Sequence, residues 1–352
     1  MIEGQTPLRA AVIGCGGMGL AHARSLAALA DFTVVAGCDL QEELAQRFAE
    51  QIAGARPYTD LDRMLAEQRP DVVVVATNNV THAPLTIRAA EAGARGVICE
   101  KPMATCLADG RAMVEACRRA NTALIVHHQR RMLPEFVTLR RLIAEGALGE
   151  VRLIRAGCAG DVLSDGTHLV DTLRHLAGDA EVRRVFGQIH RLPPDPAEEP
   201  GQGFPVSGGW RYGHPVESGA MAVVEFADGL RAELFTGTLQ PRGRPYQDYE
   251  VIGSAGRVVR AGDRADPPLL LLRDDRAGAE AVPLDPPQAN RYELFARMVR
   301  EGAGHPLAGE SALRDLEVVM AIYESARLRD WVELPLEQPR FPLEILIERG
   351  EL

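Results

Sequence analysis

The sequence has no uninterrupted apolar run of about 18 residues, no Cys-x-x-Cys pair and no excess of positive charge, and each absence removes a class of protein. The first argues against a helical membrane span. Without paired cysteines or a Cys/His spacing suited to zinc, the six cysteines (Cys15, Cys38, Cys99, Cys106, Cys117 and Cys158) are expected to be reduced core thiols, and no metal site is expected. A net charge of −10 and a pI near 5.5 argue against general affinity for nucleic acid or an anionic membrane, because binding phosphate needs a positive field. The N-terminal MIEGQTPLRAAVIGCG lacks a basic segment leading into a long apolar stretch and a cleavage site, so a cytoplasmic protein is expected. No repeat appears at periods of about 20 to 50 residues.

What is present is material for two cores. At 352 residues and 46% hydrophobic composition, the chain exceeds the ~250 to 300 residues at which single cores stop growing. The first third alternates short Val- and Ile-rich runs (8–13, 33–38, 72–76, 96–99 and 123–127) with amphipathic helical patterns (18–30, 41–51, 61–67, 82–92 and 108–120). That is the rhythm of parallel βαβ units, with Asp60 and Asp109 placed to start two of the helices. Beyond a helix at 134–145, the pattern becomes alternating apolar and polar residues over short segments (151–158, 182–190, 220–226, 230–236, 247–252 and 269–273), the mark of a mostly antiparallel sheet. Asp228-Gly229 reads as a tight primed hairpin turn. Pro193 to Pro205, with five prolines and three acidic residues, reads as an exposed loop, and helices near 288–301 and 310–329 close the domain.

Gly14-Cys15-Gly16-Gly17-Met18-Gly19 directly follows the first strand and opens a helix, the context that gives a glycine fingerprint meaning. Gly14 permits the tight turn, Gly16 leaves room for a pyrophosphate, and Gly19 lets helix and strand approach. Amides near Gly17 and Met18 face the phosphates at the positive end of the helix. Asp39, twenty residues beyond Gly19, ends the second strand, where its carboxylate can accept hydrogen bonds from both adenosine ribose hydroxyls. A 2′-phosphate would meet that charge with no cation at Leu40 or Gln41, so NAD is expected ahead of NADP.

Further segments carry a resemblance. Ala76-Thr77-Asn78-Asn79-Val80-Thr81-His82, Cys99-Glu100-Lys101-Pro102, Arg130-Arg131-Met132-Leu133-Pro134, Gly166-Thr167-His168-Leu169-Val170-Asp171 and Gly253-Ser254-Ala255-Gly256 resemble, in order, segments of the glucose-fructose oxidoreductase, inositol dehydrogenase and rhizopine catabolism (Gfo/Idh/MocA) family. The resemblance spans nearly the whole chain. It implies an α/β Rossmann domain (1–125) followed by an α+β domain (126–352) with an open, mostly antiparallel sheet used for oligomerisation, hence a homodimer or homotetramer. It also implies a sugar or polyol substrate, including cyclitols. Lys101 would contact the reacting hydroxyl beside the nicotinamide, with Lys101–Pro102 cis, and Thr77, Asn78, Asn79, His82 and Glu100 would lie at the cofactor. Asn78 and Asn79 could instead cap a helix, and His82 could be structural. The family's aspartate four residues before His168 is Ser164 here, and its usual proline at 78 is absent.

The chemistry can be reasoned independently. Oxidising a secondary alcohol requires a group titrating near neutrality at the hydroxyl, and His168 is the candidate. Lys101 would stabilise the developing alkoxide and relay its proton. Asp165 is placed to orient the imidazole or touch substrate, while Asp171, one turn beyond His168, shares its face or bonds structurally. His127 and His128 close the fifth strand, so at most one reaches the pocket. His128, Arg131 and Tyr212 join Lys101, Asp165 and His168 as candidate substrate contacts. The leading reading is an NAD-dependent oxidoreductase acting on a secondary alcohol. Its rivals are a carbonyl or imine reductase, a glycosidase that retains NAD, and a non-enzymatic regulator.

Overall fold

Val72–Val75 is four valines in succession, all fully buried, because both faces of the sheet they belong to are covered. A computed structural model describes residues 6–193, 209–240, 246–287 and 289–352. The proline-rich loop expected at 193–205 therefore lies outside the described residues from 194 onward. The chain divides into two compact units, Met1–His128 with Ala289–Leu313, and Gln129–Gln288 with Arg314–Leu352.

The first unit runs β1 (Leu8–Ile13), α1 (Gly17–Ala27), β2 (Phe32–Cys38), α2 (Glu42–Gln51), β3 (Arg56–Tyr58), α3 (Leu61–Gln68), β4 (Val72–Val75), α4 (His82–Glu91), β5 (Gly96–Cys99), α5 (Leu107–Ala120) and β6 (Ala123–Val126). Its six strands are parallel in the order β3-β2-β1-β4-β5-β6, the doubly wound Rossmann arrangement. The sequence pattern missed β3, whose three residues are too few to show a period. Asp60 caps α3 by accepting from the Arg63 N–H at 3.0 Å, as its position suggested. Asp109 lies inside α5, which starts two residues earlier at Leu107.

A boundary at 125 assigns the helix Arg291–Glu301 to the second domain, whereas the structure groups it with the first. Phe295 and Val299 press on Gly96, where a Cβ would come within 2.6 Å of Val299. The Val126 N–H donates to the Leu307 carbonyl at 3.0 Å, and Ile125 forms a bridge with Ala308. A late segment thus covers β5 and β6, a pairing that sequence distance conceals.

The second unit carries α6 (Pro134–Ala144), β7 (Val151–Cys158), a π-helical turn at Val162–Gly166, α7 (Thr167–Leu176), β8 (Val182–His190), β9 (Trp210–Arg211), β10 (His214–Pro215), β11 (Gly219–Phe226), β12 (Arg231–Thr236), β13 (Gln247–Gly253), β14 (Gly256–Arg260), β15 (Leu269–Arg273), β16 (Ala279–Ala281) and β17 (Val332–Glu333). Helices Gly309–Leu328 and Pro342–Glu348 complete the chain's elements. Nine strands form one sheet in the order β16-β15-β14-β13-β7-β12-β11-β8-β17. Among the described residues of this sheet, only β7 with β12 is a parallel pair. The β11–β12 hairpin forms as expected, but Gly229 alone takes positive φ (+91°), and the Asp228 carboxylate accepts from the Leu230 N–H at 3.1 Å. The Gly229 N–H closes the turn on the Phe226 carbonyl at 3.0 Å, so neither central residue, Ala227 or Asp228, has the positive φ a primed turn needs; Gly229 follows in the left-handed region, as in a type I turn with a bulge.

Candidate active site

The fingerprint glycines shape a cradle at the C-terminal end of β1. Gly14 has φ +91°, and a Cβ there would lie 2.3 Å from the Ala76 carbonyl oxygen. A Cβ on Gly19 would come within 1.8 Å of the Gly14 oxygen, so helix and strand meet backbone to backbone. Gly16 and Gly17 have nothing within 4 Å of a built Cβ, which leaves open space over the start of α1. No side chain caps that helix, and no acidic residue lies in its first turn. Met18 is half exposed there. This geometry fits a dinucleotide pyrophosphate on the helix N-terminus. The Asp39 carboxylate is aimed by two backbone donors, the Cys15 N–H at 2.9 Å and the Gln41 N–H at 3.0 Å.

The loop after β4 is tied to the loop after β5 by His82. The buried ring lies 3.1 Å from the Thr77 carbonyl through Nε2 and 2.7 Å from the Pro102 carbonyl through Nδ1. Burial holds its pKa below the ordinary histidine value despite these two acceptors. Asn78 does not cap with its side chain. Its carbonyl accepts from Thr81, whose hydroxyl also lies 2.7 Å from that of Thr77. Asn79 is buried and lies in the turn Asn79–Thr81.

Lys101–Pro102 is a cis bond, as the resemblance implied. Glu100, immediately before it, is buried, and its Oε1 accepts from the Nε2–H of His22 at 2.7 Å and the Nδ1–H of His127 at 2.8 Å. The Tyr292 hydroxyl, 2.9 Å from His22 Nδ1, completes the chain of contacts. Burial pushes the Glu100 carboxyl up, but the two imidazole bonds outweigh it and hold it well below the usual carboxylate range. Burial pushes His127 down to about 4, so this ring is neutral. His127 is thus the core member of the pair, and its neighbour His128 is also buried.

In the second unit, His168 is the second residue of α7 and is buried. Asp161 caps the preceding π-helical turn, accepting from the Ser164 N–H at 2.7 Å. Asp165 folds back over Gly160, where a Cβ would meet its carboxylate at 1.9 Å. Its Oδ1 accepts from the Tyr246 hydroxyl at 2.6 Å, and its Oδ2 from Arg211, which also reaches Asp161 at 3.1 Å. The carboxylate is therefore already engaged within its own unit. Ser164, at the family's aspartate position, sets its hydroxyl 3.2 Å from His214 Nε2. Arg131 is buried on Asp171 (2.8 Å) and Asp179 (3.2 Å), so its guanidinium serves protein carboxylates. Tyr212 is exposed, and the Arg211 guanidinium sits 4.7 Å from its ring centre.

Sequence reasoning missed His22, Tyr292, Tyr246 and Glu217. His22 was detectable as the polar member of an otherwise apolar stripe, Gly19, His22, Ala23 and Leu26. Glu217 is buried and accepts from the Val162 N–H and the Tyr323 hydroxyl, both at 2.7 Å. Burial, with Asp161 nearby, pushes it up to about 7.

Comparison with known proteins decides the family. Residues 8–128 match the model described as oxidoreductase family, NAD-binding Rossmann fold, and residues 155–259 match the GFO/IDH/MocA C-terminal domain. The D-apiose dehydrogenase of Paraburkholderia graminis is 30% identical over 354 residues, covering 93% of this chain and 89% of that protein. The chain belongs to the GFO/IDH/MocA oxidoreductase family. The 1,5-anhydro-D-fructose reductase of Ensifer adhaerens is 29% identical, with 83% of this chain and 88% of that one covered. The structure of the WlbA dehydrogenase from Bordetella pertussis, in complex with NADH and UDP-GlcNAcA, shares the fold at a TM-score of 0.75 and 24% identity, covering 94% of this chain and 100% of that one. This GFO/IDH/MocA protein is thus an oxidoreductase with an NAD-binding Rossmann domain. No described helix is long and apolar enough to cross a membrane.

Proposed function

We propose that this protein is an NAD-dependent dehydrogenase that oxidises a secondary alcohol of a sugar, sugar derivative or cyclitol in the cytoplasm, as a homodimer or homotetramer. The observation that carries the reading is the Glu100-Lys101-Pro102 segment, which puts an amine at the C-terminal end of a parallel strand, where sheets of this kind bind their ligands. The names of the sugar-active relatives support the substrate class.

Gly14, Gly16, Gly17, Met18 and Gly19 would hold the pyrophosphate, and Asp39 would bind the adenosine ribose and disfavour a 2′-phosphate. Thr77, Asn78 and Asn79 would flank the nicotinamide, with His82 fixing their loop. Bound NAD supplies the hydride acceptor. Lys101 and His168 would hold and move the hydroxyl proton, Lys101 also stabilising the alkoxide. We assign Arg131 and Asp165 to positioning rather than substrate contact, because Asp171, Asp179, Arg211 and Tyr246 already engage them. His128 and Tyr212 remain proposed substrate contacts.

The test is a spectrophotometric screen of sugars, inositols and glycosides with NAD and NADP. Stoichiometric NADH from one polyol class supports the reading. Aglycone release without net NADH, or a preference for NADP, would contradict it. The reductase relative favours one second reading, carbonyl reduction by the same residues. Turnover measured in both directions separates the two.

A further inference from the structure

The chain contains 39 lysines and arginines, and Lys101 is its single lysine. Wherever else a cation is needed this sequence uses arginine: Arg131 on Asp171, Arg174 on Asp315, Arg211 on Asp165, and in surface pairs such as Arg63 with Glu67. A guanidinium keeps its charge at every pH a protein meets, whereas a primary amine can give up a proton. Position 101 is therefore held for something other than positive charge.

The residue before it is treated in the opposite way. Glu100 is a buried carboxylate in a chain rich in arginine, yet among the described residues no guanidinium is seen to bond it. Its side-chain partners are His22 from α1 and His127 from the end of β6, and its Oε2 lies 3.3 Å from the backbone N–H of Lys101. Tyr292 supports His22 from behind, and the two imidazole rings lie 4.5 Å apart. The network is made of hydrogen bonds and does not outline a metal site. At 2.7 and 2.8 Å the ligand atoms are too close to flank an ion, since tetrahedral zinc ligands stand about 3.3 Å apart. Burying this carboxylate without a formal cation is costly. What it achieves is to fix the backbone on which the only lysine sits, with the carboxylate one residue away and in contact with that residue's N–H.

We infer that Glu100, clamped by His22 and His127, is a positioning residue that holds Lys101 in its working geometry, and that this anchored position requires an amine rather than a guanidinium. The inference rests on the reading of Lys101 as the group that handles the hydroxyl proton. A misplacement of about 1 Å at such a group costs on the order of a hundredfold in rate.

Because Lys101 is the only lysine, reductive methylation with 13C-formaldehyde labels one side chain besides the chain's N-terminal amine, and its NMR signal can be followed in the NAD-loaded protein without turnover. In the otherwise wild-type background we expect one sharp dimethyl-lysine resonance displaced from that of a free dimethyl-lysine. Glu100→Gln and His127→Leu should move it toward the free position. In unlabelled protein these variants should lower kcat about a hundredfold, with KM and NAD affinity within roughly twofold of wild type. His127→Asn, which keeps a donor near Nδ1, should recover most of the loss. Lys101→Arg should bind NAD and fail to turn over.

The inference is overturned if Glu100→Gln and His127→Leu leave both kcat and the resonance unchanged. It is equally overturned if His127→Asn is as impaired as His127→Leu while both are folded by circular dichroism. Should Glu100→Gln fail to fold, the two His127 variants carry the test alone. Full activity in Lys101→Ala would instead defeat the underlying reading, a separate outcome because Glu100 is untouched in that variant.

Discussion

Glu100 in the dinucleotide-binding unit is held by two imidazoles, whereas in the second unit Asp171 and Asp179 share Arg131, Asp315 pairs with Arg174, and Asp161 and Asp165 share Arg211. The two devices respond differently to protons. A guanidinium keeps its charge at every pH a protein meets, so protons act only on the carboxylate of such a pair. An imidazole clamp leaves its carboxylate ionised beside a neutral ring, and acid changes that ring's charge. The first unit has such a clamp under its amine, and the second uses guanidiniums around the segment that leads into His168. Glu217 is the exception in the second unit, a buried carboxyl held by a tyrosine hydroxyl and an N–H.

Removing Arg131 should be the most damaging way to break the contrast. Arg131→Ala removes the guanidinium that Asp171 and Asp179 share from a buried site, so a loss of about 3 to 5 kcal/mol is expected in chemical denaturation. His127→Asn, which keeps a neutral donor, should cost far less.

His127 in the first unit and Glu217 in the second should respond to pH in opposite directions. His127 is pushed down to about 4 from an ordinary 6.5, so its contribution is complete above 6.5 and is lost as pH falls toward 4. Glu217 is pushed up to about 7 from 4.5, so its contribution is complete below 4.5 and is lost as pH rises through 7. Each slope is worth roughly 3 kcal/mol. The two slopes oppose each other between about pH 4.5 and 6.5 and nearly cancel in the wild type, so thermal melts should separate them: Glu217→Gln should leave stability rising with pH across that window, and His127→Asn should leave it falling.

Asp39→Ala should weaken NAD binding about tenfold, roughly 1.4 kcal/mol, and narrow the proposed preference for NAD over NADP, as titration calorimetry would show. Smallest of all, Asp60→Ala removes only a helix cap and should cost about 1 kcal/mol. The equivalent Asp161→Ala should cost several times more, because Asp161 also pairs with Arg211. Equal costs for the two caps would erase the distinction between the units.

The sequence made the first unit far more legible than the second. Gly14, Gly19 and Asp39 act over a few neighbouring residues, so their spacing carries their meaning. The clamp on Glu100 was hidden because His22 lies 78 residues from its partner, and Tyr292 lies 270 residues from His22. In the second unit nearly every site contact is of this kind, such as Arg131 with Asp171 across 40 residues and Arg211 with Asp161 across 50. Alternating apolar residues announce strands but not their register, so Asp165 could be named without knowing that Arg211 and Tyr246 would claim it. β14 went unrecognised because Gly253-Ser254-Ala255-Gly256 read as a motif rather than as the turn into a strand.

The proposed function has Lys101 and His168 serving one proton in an NAD-linked oxidation. A double-mutant cycle of Lys101→Ala and His168→Ala, on the best polyol found with NAD, measures this directly. Each single variant should lose about a thousandfold in kcat while still binding NAD, and the double variant should be little worse than either single, as expected of residues acting as a unit. Losses that multiply independently, or either single variant retaining wild-type turnover, would contradict it.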